Sequence, residues 1–312
     1  MVTRRGFLKT TVGTTVGASL GRVAVAQNAA PGEGAESLRM PKVPFGPHTI
    51  SRLIAGGNQQ AGASHQSVLM TQHMLDYFTV DQTVAFLRSC IAQGINTWQA
   101  NYNEKTRDAV LRIREGGEEI NLISLASPHF DENALAKTLE LNPIGIYLFG
   151  WTSDQLYHAG KLDTARDFLK KIRDTGVQVG FGAHRPEVIE YAEEKGWDID
   201  FYMTSLYRWG RSREEILEIL PEVPHDDGYG GMELYLPSEL PRMCDTISKV
   251  TKQCLVFKLM AGGRTCKTPQ QVSDVFEYVL GRIKPTDAVL VGMYPRFSDE
   301  IKANADFARK FA

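Results

Sequence analysis

"VQVGFGAHRPEVIEYAEEK", Val177 to Lys195, sets two periodicities back to back. Val177 to Gly182 is a short apolar run, the pattern of a strand buried on both faces. Pro186 then opens a helix to Lys195, with proline in the first turn, where no N–H is needed. His184 and Arg185 stand between the two.

Working outward, the same unit recurs. Ile50–Ala55 precedes a helix over Asp81–Gln93, with Thr79 and Gln82 spaced as a capping box and Gly94 as its stop. Ile95–Gln99 precedes Glu104–Glu115, Asn121–Ala126 precedes Glu132–Glu140, and Ile144–Phe149 precedes Leu162–Asp174. After the quoted unit come Phe201–Ser205 with helices Ser212–Leu220 and Ser238–Val250, then Leu255–Leu259 with Pro269–Arg282. Ala288–Val291 and a helix over Ser298–Phe311 close the chain. Strands alternating with helices predict a parallel sheet, and eight units predict a (β/α)8 barrel. A doubly wound open sheet would carry a G-x-G-x-x-G turn after its first strand, and none is present. Residues 38–312 therefore read as one barrel domain. Two insertions, 61–79 and 221–237, leave strand C-termini and are expected over the mouth.

The 312 residues carry a formal charge of −2, and no basic stripe marks a nucleic-acid surface. Beyond the N-terminus no apolar run is long enough to span a membrane. Residues 1–26 resemble a twin-arginine export signal: Arg4 and Arg5, then Phe7-Leu8, a weakly apolar stretch, and Ala24-Val25-Ala26 as the cleavage site. This implies the twin-arginine translocase as a partner, a periplasmic or otherwise exported bacterial product, and no membrane anchor after cleavage. Residues 27–37 read as a flexible leader. Cys90, Cys244, Cys254 and Cys266 form no Cys-x-x-Cys pair; Cys90 reads as core.

Barrel chemistry sits at the strand C-termini. That rule gathers Asn58 and Gln59; Gln99, Asn101 and Tyr102; His129; Trp151; His184 and Arg185; Tyr207 and Arg208; Lys258 and Arg264; and Tyr294 and Arg296. The set is rich in imidazole, amide, phenol and cation. No strand end offers the facing carboxylates of a glycosidase; the nearest acids are Glu104, Asp131, Asp226, Asp227 and Glu233. His129 and His184 are a candidate acid–base pair, or metal ligands together with Glu233. Lys258, inside "CLVFKLM", is either a buried base or imine-former, or it binds an anion with Arg264 and the backbone of Gly262-Gly263.

The order of motifs resembles the aldo/keto reductases. "MPKVPFGPHTISRLIAGGN" is similar to their opening hairpin and first strand, "GINTWQAN" to their second strand, and "VQVGFGAHRPEVIEYA" to the fifth. "FYMTSLY" is similar to the sixth, "FKLMAGGR" to the pyrophosphate loop, and "VLVGMYPRFSDEIKANADFA" to the last strand and helix. The resemblance implies a nicotinamide dinucleotide, NAD(P), held by Asn58, Tyr207, Gly262, Gly263, Arg264, Gly292 and Asn304. It implies a substrate near Gln99, Asn101, Trp151 and Arg208. The family's catalytic Asp, Tyr, Lys and His positions read Gln99, Glu104, Pro128 and Gly150, and Tyr102 is out of register. Glu300 stands where a basic residue would grip a 2′-phosphate.

Three expectations follow. The first is an exported, aldo/keto reductase-like oxidoreductase with a tightly held dinucleotide, acting on a small carbonyl or sugar-like substrate. His129, Tyr102 or Lys258 would then replace the lost proton donor. The second is a cofactor-independent or metal-assisted lyase, isomerase or hydrolase on a carbohydrate-like substrate, using His129 and His184. The third is a non-catalytic binding protein.

Overall fold

The computed structural model describes residues 39–129, 133–222 and 233–312. The signal, the leader, Asp131, Asp226 and Asp227 lie outside the described residues. A hairpin of β1 (Lys42–Phe45) and β2 (His48–Ser51) leads into β3 (Leu53–Gly56). The single strand expected over Ile50–Ala55 is thus two. The chain turns at Arg52, whose N–H donates to the Pro41 carbonyl at 2.8 Å.

Seven further strands follow: β4 (Thr97–Gln99), β5 (Asn121–Ala126), β6 (Gly145–Leu148), β7 (Gln178–Ala183), β8 (Phe201–Ser205), β9 (Gln253–Phe257) and β10 (Ala288–Gly292). All pair in parallel, and β10 returns to β3, so the sheet closes into the (β/α)8 barrel that the alternation predicts. The strands are apolar throughout because both faces are covered. Ile54, Ile123, Leu125, Met203, Leu255 and Leu290 pack inside the barrel, and Trp98, Leu122, Val179, Tyr202 and Val256 pack outward.

Val43, Phe45 and Ile50 of the hairpin join the interior cluster at its N-terminal end, where the Phe45 and Phe201 rings lie 4.9 Å apart. Gly145 and Gly180 provide the volume for these rings. A methyl group at Gly180 would collide with the Phe201 ring and the Tyr147 Cβ. Gly180→Ala should therefore cost about 2–3 kcal/mol, the usual penalty for overpacking a filled core. Urea unfolding should show a lowered midpoint with an unchanged slope.

The helices are α1 (Val68–Tyr77), α2 (Val80–Ala92), α3 (Glu104–Glu115), α4 (Ala134–Leu139), α5 (Gly150–His158), α6 (Ala165–Arg173), α7 (Pro186–Glu194), α8 (Arg213–Leu217), α9 (Glu239–Lys249), α10 (Pro269–Leu280) and α11 (Glu300–Phe311). Thr79 caps α2 by accepting from the Gln82 N–H, as the capping-box spacing anticipates. Two helices lie where sequence periodicity gave none. α1 forms within the first insertion, and α5 follows β6 directly. None of the described helices is long and apolar enough to cross a membrane.

Candidate active site

β7 ends at Ala183, and both the ring and the backbone of His184 turn to one carboxylate. Asp154 Oδ2 lies 2.8 Å from Nδ1, and the two Asp154 oxygens lie 3.3 and 3.2 Å from the His184 N–H. Asp154 comes from α5, so the β6–α5 turn and the β7 tip are tied together. The imidazole rests on Gly150: a methyl there would lie 3.0 Å from Cε1. Facing a carboxylate makes Nδ1 the donor and leaves Nε2 as the acceptor in the neutral ring. Burial lowers the His184 pKa against the pull of Asp154, and the charges of Lys258 and Arg185 lower it further. The ring is therefore a neutral, oriented base near pH 7. It lines a cavity of ≈ 270 Å³ with Arg208, Arg211, Glu215 and Glu239.

A second chain of hydrogen bonds begins at the tip of β9. Lys258 Nζ donates to the Tyr235 hydroxyl at 2.9 Å, and that hydroxyl donates to Glu233 Oε2 at 2.8 Å. Glu233 Oε1 lies 2.5 Å from His65 Nδ1, and His65 Nε2 lies 3.2 Å from Asn58 Nδ2. The two insertions thus meet at the mouth, through residues 168 apart in sequence. Burial pushes Glu233 up, but its hydrogen bonds with His65 and Tyr235 and the charge of Lys258 outweigh that and hold it below the usual carboxylate range. Burial lowers His65 more than Glu233 raises it, so the pair is an anion beside a neutral ring. Burial also pushes the Lys258 ammonium down to about 8; Glu233 opposes this and Arg264 adds to it.

Trp209 joins the halves. Its ring centroid lies 5.4 Å from that of His184 and 5.7 Å from Lys258 Nζ. Backbone strain gathers at the same place. Among the described residues, four non-glycine residues have positive φ, and His65 (57°), Lys258 (64°) and Ala261 (49°) are three of them. Each costs on the order of 1 kcal/mol or more, and such strain clusters at functional sites.

The residues singled out from sequence divide. His184, Lys258, Asn58 and Trp151 belong to this assembly, Trp151 through its ring 4.7 Å from Trp209. Gln99 is buried. His129 is exposed, with its backbone N–H on Ser127 Oγ, and it does not stand against the buried His184–Asp154 pair. Asn101 and Tyr102 line a separate cavity of ≈ 300 Å³ with Ser127 and Lys171. Arg185 clamps Glu215 of α8 with two 2.8 Å bonds, while Arg208 holds Glu187 at 2.8 Å. Among the described residues, no three His, Cys, Asp or Glu side chains converge as metal ligands. Glu233 faces His65 rather than His129.

The positions that the resemblance assigns to a dinucleotide make the following contacts within the chain. Tyr207 packs against Tyr235 at 5.4 Å, and burial pushes its phenol up to about 12. The "AGGR" segment is a short helical turn in which the N–H groups of Ala261, Gly263 and Arg264 donate to the carbonyls of Lys258 and Met260. These three N–H groups are satisfied within the turn. Arg264 lies over the Tyr235 ring at 4.7 Å and donates to the His65 carbonyl at 2.9 Å. The Gln59 side chain covers Gly292. Asn304 donates to the Glu300 carbonyl at 2.7 Å within α11, and the Glu300 carboxylate accepts the Tyr294 N–H at 2.7 Å.

Sequence reasoning missed Asp154, because α5 opens on Gly150 and offers only Gly160 as a visible stop. Sequence reasoning names Glu233 without pairing it to His65, and passes over Tyr235 and Trp209. The aromatic density of "LYRWG" and "ELYLP" was the available signal.

No protein-family model matches the chain, and none of the curated proteins does. Among solved structures it is similar to an aldo/keto reductase from Brucella melitensis, at 12% identity over 88% of this chain and 99% of that one, with a TM-score of 0.48. It is also similar to a truncated 3-deoxy-D-arabino-heptulosonate 7-phosphate synthase from Thermotoga maritima (11%, 87% and 90%, TM-score 0.47). A third is 3-keto-L-gulonate-6-phosphate decarboxylase from Vibrio cholerae (12%, 75% and 94%, TM-score 0.41). These neighbours are TIM-barrel enzymes of different chemistries, and the likeness extends to the barrel alone.

Proposed function

We propose that the chain is an enzyme that moves a proton at the carbon next to the carbonyl of a small, polar oxo compound, as an isomerase or lyase does. The observation that carries this is the convergence, around Trp209, of His184 held by Asp154 and Lys258 held by the Tyr235–Glu233–His65 chain. His184 Nε2 takes the proton from carbon. The C–H electron pair becomes a C=C bond, and the carbonyl π pair moves to oxygen, which the Lys258 ammonium stabilises. The cavity that His184 lines, with Lys258 outside its lining, is at the small end for ligand sites, which suits a substrate of few carbons. Its charged lining suits hydroxyl or carboxylate groups.

This reading uses no dinucleotide; it rests on His184 and Lys258 alone. Export by the twin-arginine route remains our proposal from the N-terminal residues alone.

The test needs no known substrate. Small 2-oxo acids, ketoses and dihydroxyacetone are incubated with the protein in deuterium oxide, and loss of the C–H proton signal is followed by NMR. The proposal expects catalysed exchange in at least one compound class, abolished in His184→Ala. Exchange equal to the protein-free rate across the panel would overturn it.

A further inference from the structure

We infer that the Lys258 amine attacks the substrate carbonyl and holds it as an imine. This rests on the carbonyl reading above and deepens it, with the ammonium's electrostatic role there replaced by a covalent one. Among the described residues no carboxylate lies within ion-pair distance of Lys258 Nζ; its hydrogen-bond partner is the neutral phenol of Tyr235. Lys284, by contrast, sits 3.2 Å from Asp287. Lys258 follows the buried run Leu255–Val256, and its amine packs over the rings of Trp209 and Tyr235 at 5.7 and 5.3 Å. Arg264 approaches the same Tyr235 ring. An amine held in an apolar wall beside a second cation is poised to lose its proton and become a nucleophile.

The hydrogen-bond chain gives that proton somewhere to go. Lys258 passes it to the Tyr235 oxygen while Tyr235 passes its own to Glu233 Oε2, whose other oxygen stays bonded to His65. The free amine pair then forms an N–C bond as the carbonyl π pair moves to oxygen. With a proton moved from nitrogen to oxygen, the adduct is a carbinolamine. Its C–O bond breaks, the oxygen leaves as water with the proton returned through Tyr235, and a protonated imine remains. This cation draws the electron pair when His184 takes the neighbouring C–H proton, giving an enamine. Addition of water reverses the sequence and frees Lys258.

The test uses the full chain with dihydroxyacetone or pyruvate as probe and cyanoborohydride as the trapping reductant, read by intact mass and peptide mapping. The expected result is one adduct, heavier by the probe less one oxygen atom, on Lys258, and absent in Lys258→Arg and Lys258→Met. The trapping rate should rise with pH through about 8. The groups facing the amine are Glu233, Tyr235, Arg264, His65 and His184. Tyr235→Phe keeps the ring and removes the relay, so it should trap roughly a hundredfold more slowly. An adduct spread over exposed lysines such as Lys161 and Lys170, unchanged in Lys258→Met, would overturn the imine. Proton exchange in deuterium oxide without any adduct overturns the imine and leaves the acid–base reading standing. Neither exchange nor adduct overturns both.

Discussion

Lys258→Met should yield a protein that is more stable at pH 7 and nearly inactive. The ammonium is pushed down from 10.5 to about 8 by burial, so holding it charged in the folded state costs about 3 kcal/mol. Methionine keeps the unbranched stem and removes the charge. It gives up the bond to Tyr235 and two cation–π contacts, together about 2 kcal/mol. The net gain is about 1 kcal/mol, or roughly 2–4 °C in Tm for a domain of this size. The sign with pH follows from the direction of the shift. Because the folded pKa is lowered, the cost is complete below about 8 and fades as pH rises from there to 10.5, where the amine is neutral in both states. Calorimetry should therefore show the variant ahead at pH 7 and its advantage gone or reversed near pH 10. Proton exchange should fall roughly a thousandfold. A destabilised variant at pH 7 would mean that the lysine is solvated and not desolvated.

Asp154→Ala carries the larger structural effect. Its carboxylate serves the His184 ring and backbone N–H, and both side chains are at most 4% exposed. Its loss leaves two buried donors unsatisfied, a cost of about 2–4 kcal/mol. Asp154→Asn separates positioning from folding. The amide fills the space but no longer raises the His184 pKa, so the ring stays neutral to lower pH. The acid limb of the exchange profile should move down, while the maximal rate falls by roughly a hundredfold or more because the ring is no longer fixed in one tautomer. A lowered rate with an unmoved acid limb would place Asp154 in structure alone.

The barrel was legible because strand and helix periods are local. Asn121–Ala126, Phe201–Ser205 and Glu104–Glu115 form over the residues whose patterning predicts them. Lys258 was legible as a lysine inside an apolar run. His184 was legible as a polar residue where a strand runs out. Their partners were not. Asp154 lies on a short helix without a visible cap, and His65 and Glu233 meet across two insertions whose paths have no period to read. The glycines of "AGGR" show a related limit. Glycine signals backbone freedom, but it does not say whether the N–H groups face a ligand or their own carbonyls, and here three of them turn inward. The resemblance to a dinucleotide enzyme had the same weakness. It concerns residue types at positions and says nothing of the contacts that Tyr207 and Arg264 make with Tyr235 there.

The claim beneath both the function and the imine is that the Lys258 amine stands desolvated between Trp209 and Tyr235. The Cε–Hε resonances of Lys258, in protein labelled with carbon-13 lysine and assigned by their loss in Lys258→Met, report its titration directly. The account predicts a midpoint near 8. A midpoint shared with the exposed lysines, at about 10.4, would contradict it.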